Sequence, residues 1–420
     1  MKQYIWCLFL LSLLWQGCSR STTGPQGGGG QADEPAYNKE AALTFRSRTL
    51  DRDTSLRVYM ELDVKRDGGT VTLEKFVNDF SFIYYIQADY NSKEVLYRRG
   101  LKPTTEAVRQ TGPGTFGFTF DVPKLNIPSA VLFLEVADAS AGQKLLHDIL
   151  LEFKPTRMSD SYAVFGPKGS FPHLRSYFSP DDTLRIANLK GSAQEMVVTR
   201  YAYDFEPAAS PMGAGNRNAP KVLPIDTTFT LRTNQLFQLV DPGLYLFRED
   251  TTQLQGMGVL ITDDRYPRLM QPQNLLKPLI YISTRNEIKE ISNSNAPKKT
   301  LDNYWLRLAS NNEGKARRTI RAYYRRVNSA NQLFTTYKEG WKTDMGMIYV
   351  VLGPPDQVAR TKEKEVWTYT QNPNFSEINF TFIRKPNQFV EEHYELVRYP
   401  EYEPIWYPIV EEWRSGVVDR

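Results

Sequence analysis

Apolar and polar positions alternate with a period of two in the first third of the chain. The segments Ser55–Val64, Asp79–Tyr90, Gly114–Val122, Ala130–Ala139 and His147–Phe153 are rich in Val, Tyr, Phe and Ile. Turn formers at Asp67–Gly69 and Thr111–Gly114 interrupt them, which predicts antiparallel strands with one buried face. The expected unit is a β-sandwich over residues 41–155. Pro155 and the polar Met158–Ser161 mark a boundary. Beyond it Asp182–Leu189, Met196–Phe205, Thr227–Thr233, Gly243–Asp250 and Gly256–Asp263 repeat the pattern, predicting a second sandwich over 156–265. Its insertion Glu206–Lys221, rich in Pro, Gly, Ala and Asn, reads as a mobile loop.

From about Tyr266 the period lengthens to that of a helix. Thr300 is placed to cap a helix bearing Leu301, Tyr304, Trp305 and Leu308, and a second helix carries Ile320, Tyr323, Tyr324, Val327 and Phe334. The opposite face of the second holds Lys315, Arg317, Arg318, Arg321, Arg325 and Arg326. That face is either solvated or a docking surface for anionic lipid headgroups or an acidic protein. Met347–Leu352 is continuously apolar and reads as a strand covered on both sides, stopped by Gly353-Pro354-Pro355. Glu365–Tyr369 and Glu377–Lys385 read as the next strands. The predicted fold is multidomain and mainly β, two tandem β-sandwich domains followed by a small α+β domain over 266–398. In the tail, 399–420, Pro408 argues against a continuous helix. An extended aromatic strap is expected there, with Trp406, Tyr407 and Trp413 lying on the chain's own domains or on a partner.

The amino terminus changes the setting. Lys2 precedes an apolar run of about a dozen residues, short of the roughly 20 needed to span a bilayer, and the run leads into Gln16, Gly17 and Cys18. Residues 1–17 read as a secretory signal. Leu14, Gly17 and Cys18 resemble a bacterial lipobox, while Trp15 and Gln16 depart from its stricter form. Cys7 and Cys18 are the only two cysteines in the chain, so cleavage leaves Cys18 without a disulfide partner, and lipidation resolves the free thiol. Residues 18–40, with Gly27–Gly30, form a flexible tether of about 25 Å. Lys and Arg total 52 against 48 Asp and Glu in 420 residues, too even a balance for a polyanion-binding design. The expected setting is the outer membrane, on its periplasmic face, with a lipid anchor on Cys18, an envelope protein partner and no nucleic acid. Gln31–Glu34 resembles an acidic surface-export signal, but Ser19 and Arg20 hold the place directly behind the cysteine where such signals normally lie.

One segment carries a family resemblance. Gly340-Trp341-Lys342-Thr343-Asp344 is followed by Gly346, by Gly353-Pro354-Pro355-Asp356 and by Trp367 and Tyr369. Over roughly 270–400 this resembles the GWxTD domain, known mainly from Bacteroidota and Acidobacteriota. The resemblance implies a name and a lineage, and no chemistry. Taken physically, the motif is architectural: Gly340 ends a helix at positive φ, Trp341 buries its ring, and Thr343 and Asp344 accept hydrogen bonds from turn amides. The rival reading makes Asp344 and Thr343, with Glu339 or Glu365, a site in which a carboxylate, Asp344 or Glu339, serves as general acid or base of a glycan- or peptidoglycan-acting hydrolase. A third makes the chain a glycan-binding module. His147, His173 and His393 fall in three different domains, with no HExxH, GxSxG or phosphate-binding loop. No catalytic set, metal or cofactor is expected. The favoured function is protein binding, as a structural or accessory subunit of an outer-membrane assembly or secretion complex.

Overall fold

The computed structural model describes residues 31–32, 37, 43–66, 69–191, 193–202, 204–213, 222–263, 265–370 and 377–417. The signal, Cys18 and Gly27–Gly30 lie outside the described residues.

Alternation builds the first sandwich as the sequence predicts. Leu43–Arg52, Ser55–Val64, Thr115–Pro123 and Arg109–Gly112 form one antiparallel sheet, and Tyr97–Leu101, Phe80–Gln87, Ser129–Asp138 and Gln143–Glu152 form the other. Their inward residues, among them Val58, Leu62, Phe82, Leu132 and Leu134, share one core. The short helix Leu73–Asp79 plugs one side with Phe76, stacked on Phe116 at 4.2 Å. The second sandwich pairs Tyr162–Phe165, Leu184–Asn188 and Leu236–Phe237 against a five-stranded sheet. In that sheet Tyr177–Phe178 runs parallel to Met257–Ile261, and the other pairings are antiparallel.

In the last domain, helices pack on an antiparallel sheet. Its strand order is Gln31–Ala32, Gln357–Arg360, Lys364–Tyr369, Ile378–Arg384, Tyr394–Leu396. The sheet therefore recruits its edge strand from the predicted tether, where Gln31 and Ala32 pair with Ala359 and Val358. Tyr37 follows, its ring 5.0 Å from both Phe334 and Trp367.

Three local expectations are overturned. Met347–Leu352 is not a strand but part of the helix Asp344–Leu352. Met347, Ile348, Tyr349, Val350 and Val351 are all buried there, and a helix covered on every side needs no polar face. Glu403–Ser415 is also helical, straight through Pro408. The proline forgoes one backbone bond, a loss offset by burying Trp406, Ile409, Val410 and Trp413 on one face. Pro297, not Thr300, opens the helix Pro297–Leu308, as proline suits a first turn whose N–H groups lack helical partners.

The domains are docked on each other. Leu50 and Tyr59 of the first sandwich share a cluster with Ala163, Phe165 and Ala187 of the second. Phe389 of the last domain lies on strand Met257–Ile261, where the Gly258 amide donates to its carbonyl at 2.7 Å. A Cβ at Gly258 would stand 2.7 Å from that same oxygen, so only glycine permits the contact.

Candidate functional site

The pentapeptide forms a tight turn, Gly340–Lys342, between the long helix Glu313–Phe334 and the central helix Asp344–Leu352. Gly340 does not take a positive φ. It is glycine because a Cβ would lie 2.1 Å from the Ala330 carbonyl oxygen, and at Gly346 a Cβ would lie 1.8 Å from the Gly340 carbonyl oxygen. These two glycines let the turn press against both helices. Trp341 is 1% exposed. Its amide donates to Asn331 Oδ1 at 3.0 Å and its carbonyl accepts from the Tyr281 hydroxyl at 2.8 Å. Thr343 caps the central helix, accepting from the Gly346 amide at 2.9 Å while donating to the Gly340 carbonyl at 2.8 Å.

Asp344 departs from the expected turn-capping role. Its Oδ1 meets Arg398 Nη2 at 2.5 Å, and its Oδ2 accepts from the Leu396 amide at 2.7 Å and from Arg398 Nη1 at 3.1 Å. Both oxygens are committed to the strand Tyr394–Leu396 and its flank, in a two-pronged guanidinium–carboxylate pair.

The variable position is the most charged part of the turn. Lys342 is 1% exposed and pairs with Asp204 of the second sandwich and with Glu339, the latter at 2.8 Å. Burial alone would depress its pKa, but Glu339 and Asp204 outweigh that and hold it above the ordinary lysine value. Neighbouring Lys338 is pushed down to about 8 by burial and donates to the Glu206 carbonyl at 3.2 Å. The insertion expected to be a mobile loop is in fact a lid over this turn across residues 206–213. Ala208 and Met212 pack on the last domain's core. Arg398 donates to the Ser210 carbonyl at 3.3 Å, and the Tyr399 amide to that of Pro211 at 3.2 Å. Residues 214–221 lie outside the described residues.

The rest of the motif closes the same core. Gly353, at φ +95°, ends the central helix, and its carbonyl accepts from the Tyr369 hydroxyl at 2.9 Å. Pro354 is half-buried and Pro355 buried. Asp356 accepts from the Thr370 amide at 2.6 Å. Trp367, fully buried, donates to Glu365 at 2.6 Å. Glu365 in turn pairs with Arg360 at 3.0 Å, and Arg360 reaches Asp148 of the first sandwich at 2.7 Å. Thus the acids weighed for catalysis, Asp344, Glu339 and Glu365, each hold a cation.

No group of His, Cys, Asp and Glu suited to a metal ion occurs among the described residues. His147 stacks on Phe45, and burial lowers its pKa to about 4. His173 lies edge-on to Phe178 and His393 meets Glu395 at 3.3 Å. Two clefts lie elsewhere. One of about 550 Å³ separates the sandwiches, and one of about 780 Å³ lies beside Asp181, Asp263 and Asn274. Asp344 lines neither.

The candidate partner-binding residues divide. Arg317, Arg318, Arg321 and Arg325 are exposed on the long helix. Arg317 pairs with Glu313 at 3.2 Å, and Arg318 and Arg321 meet no carboxylate among the described residues. Arg326, read as part of that face, points inward, donating to the Val351 carbonyl at 3.0 Å over the Trp413 ring. Trp406 and Trp413 are buried, Trp413 bonding the Val351 carbonyl at 2.9 Å. They are core residues, unavailable to a partner, whereas Tyr407 is 53% exposed. Arg398, Asn331, Asp204 and Tyr37 escaped the sequence reading. Each acts across a long stretch of chain and belongs to no local pattern.

Among the described residues no helix is long and apolar enough to cross a membrane. No curated protein matches the chain. Among solved structures, the crystal structure of CBD12 from CALX1.2 aligns over 59% of this chain and 91% of its own at 9% identity, with a TM-score of 0.14, too low to bear on the fold. The GWxTD domain family matches residues 243–415, from the last two strands of the second sandwich to the end of the helix Glu403–Ser415. The turn geometry at Gly340–Asp344 and this match together make the chain a GWxTD domain-containing protein.

Proposed function

We propose that the protein is a lipoprotein held to the periplasmic face of the outer membrane through Cys18. It works by binding protein, as a structural or accessory subunit of an outer-membrane assembly or secretion complex. One observation carries this reading. Asp344, the only acid of the pentapeptide, engages both carboxylate oxygens with Arg398 and the Leu396 amide, which favours a fixed structural counter-ion over a general acid or base. A hydrolase built on Asp344 and Glu339 would need those carboxylates free and a cleft between them. The anchor rests on the sequence of residues 1–18 alone.

The binding surface in this reading is the outward face of the helix Glu313–Phe334. Arg318 and Arg321 stand there exposed, one turn apart and without acidic partners among the described residues, a design that favours an acidic protein surface. The test is a mild-detergent affinity purification of the native protein from its own envelope, run beside the Arg318→Glu/Arg321→Glu variant. A stoichiometric outer-membrane protein that co-purifies with the native chain and is lost with the variant is the expected result. Recovery of the protein alone from both preparations would overturn the reading.

A further inference from the structure

The cleft between the two sandwiches holds an uncompensated charge. Arg109 comes from the first sandwich and Arg185 from the second, yet both reach one turn. Arg109 Nη2 donates to Ser170 Oγ at 2.9 Å, and Arg185 Nη2 donates to the Gly169 carbonyl at 3.0 Å. Neither meets a carboxylate among the described residues. Arg57, on the same wall, shows what compensation looks like, because Asp121 grips it with two hydrogen bonds at 2.8 and 2.9 Å. Among the described residues, Glu106 is the one acid lining the cleft. Its carboxylate is turned to its own loop, accepting from Thr105 Oγ1 at 3.1 Å.

Arg109 is exposed and Arg185 half-buried, and two guanidiniums anchored on neighbouring residues of one turn make a positive edge that an anion could meet from both sides. Each spends one hydrogen bond on the turn, out of five N–H groups, so donors remain for a ligand. Arg185 is further fixed with its guanidinium 5.1 Å from the centre of the Phe165 ring. Beside them Phe171 packs on Gly117, where a Cβ would come within 3.2 Å of the ring, giving the cleft an aromatic wall. Thr119 and Asn188 add polar groups to the lining. The volume, about 550 Å³, falls within the range of small-ligand sites, which occur preferentially between domains.

We propose that this cleft binds a small oxyanion, a carboxylate or phosphate carried on a sugar-sized body, with the anionic group held between Arg109 and Arg185 and the body against Phe171. The site is independent of the basic helix and of the lipid anchor. It is tested by calorimetric titration of the full-length, detergent-solubilised protein with glucuronate, with glucose 6-phosphate and with uncharged glucose. The expected result is saturable binding of at least one of the two anionic sugars, weakened by added salt, with none for glucose. Which of the two binds tells a carboxylate source from a phosphate source. Arg109→Gln and Arg185→Gln should each weaken binding by about tenfold or more, as for a lost charge-assisted hydrogen bond. Equal binding of glucose, no binding of either anion up to about 10 mM, or full binding by the double variant would overturn the proposal. Melting of the ligand-free variants gives a second check. Because these side chains are exposed or half-buried, a melting temperature close to that of the native chain is expected, whereas a marked drop would make the two arginines interdomain struts and refute the site.

Discussion

The two sides of the helix Glu313–Phe334 obey opposite rules. Its inner side is committed atom by atom: the Ala330 carbonyl abuts Gly340, Asn331 ties the Trp341 amide to the Pro267 carbonyl, and Phe334 fits between Tyr37 and Tyr349. Its outer side leaves Arg318 and Arg321 in solvent, while Arg317 pairs with Glu313 one turn away. Of the letters that name the domain, Gly340 and Trp341 lie directly against the inner side, and Thr343 and Asp344 fasten the turn to the central helix and to the strand Tyr394–Leu396. They fix where this helix sits, and the surface they hold in place is where an interaction can be written.

The sharpest way to break that contrast is to disturb the inner side. Gly340→Ala puts a methyl 2.1 Å from a backbone oxygen that belongs to a helix and cannot swing away. The expected loss is about 4 kcal/mol or more, at the exceptional end for a single substitution, and chemical denaturation of the purified chain measures it. A loss below about 1 kcal/mol would show that the turn has room and that the glycine answers to something other than packing.

Asp344→Asn comes next. It keeps the shape and removes the charge that faces Arg398, itself only half-buried, so about 3 kcal/mol is expected, as for a buried pair that loses one partner. Arg398→Ala should cost a similar amount, and the double variant much less than the sum, because both changes delete the same contact. Unchanged stability in Asp344→Asn, together with a lost cellular phenotype, would return the residue to the catalytic reading.

A third test uses pH. Glu287 caps the helix Arg285–Ser292 and meets Arg414 of the terminal helix at 2.8 Å. Burial opposes its charge, but Arg414 and the Thr284 amide outweigh burial and hold its pKa down at about 2. A carboxyl whose folded pKa is depressed stabilises the fold above its unfolded value of about 4.5, and that contribution is lost as pH falls toward 2. Stability should therefore decline across that window, and Glu287→Gln should flatten the decline while lowering stability at neutral pH. An identical acid profile in the variant would remove Glu287 from the ties that hold the terminal helix.

How much of this was legible follows from the range of each interaction. The strands of both sandwiches are written in two-residue alternation, and the multidomain, mainly β class came from that pattern. Thr343 announced itself as a cap, since it sits directly ahead of the turn whose amide it accepts from. The central helix was misread because Met347–Leu352 is apolar all round, and period disappears when every face is buried. A better signal lay at its ends, Thr343 before the first residue and Gly353 after the last, a start and a stop spaced for a short helix. The terminal helix was missed through Pro408, whose local cost is outweighed by Trp406 and Trp413 in a core that no local pattern reveals. The partners of the motif were out of reach for the same reason: Arg398 is 54 residues from Asp344, and Asp204 is 138 from Lys342.

The smallest expected effect on stability is also the one that bears most on function. Arg318→Glu/Arg321→Glu reverses two exposed charges that support nothing inside the fold, so stability should move by no more than about 0.5 kcal/mol. Binding to an acidic partner should respond far more strongly. Charge reversal replaces attraction by repulsion at the encounter, slowing association and removing its salt dependence. Measured on one protein, a small change in denaturation midpoint beside a loss of partner capture would separate the two sides of the helix cleanly. A variant that unfolds would show the outer face to be as structural as the inner one. A variant that is stable and still captures its partner at full strength would move the search to another surface, with exposed Tyr407 the first residue to change.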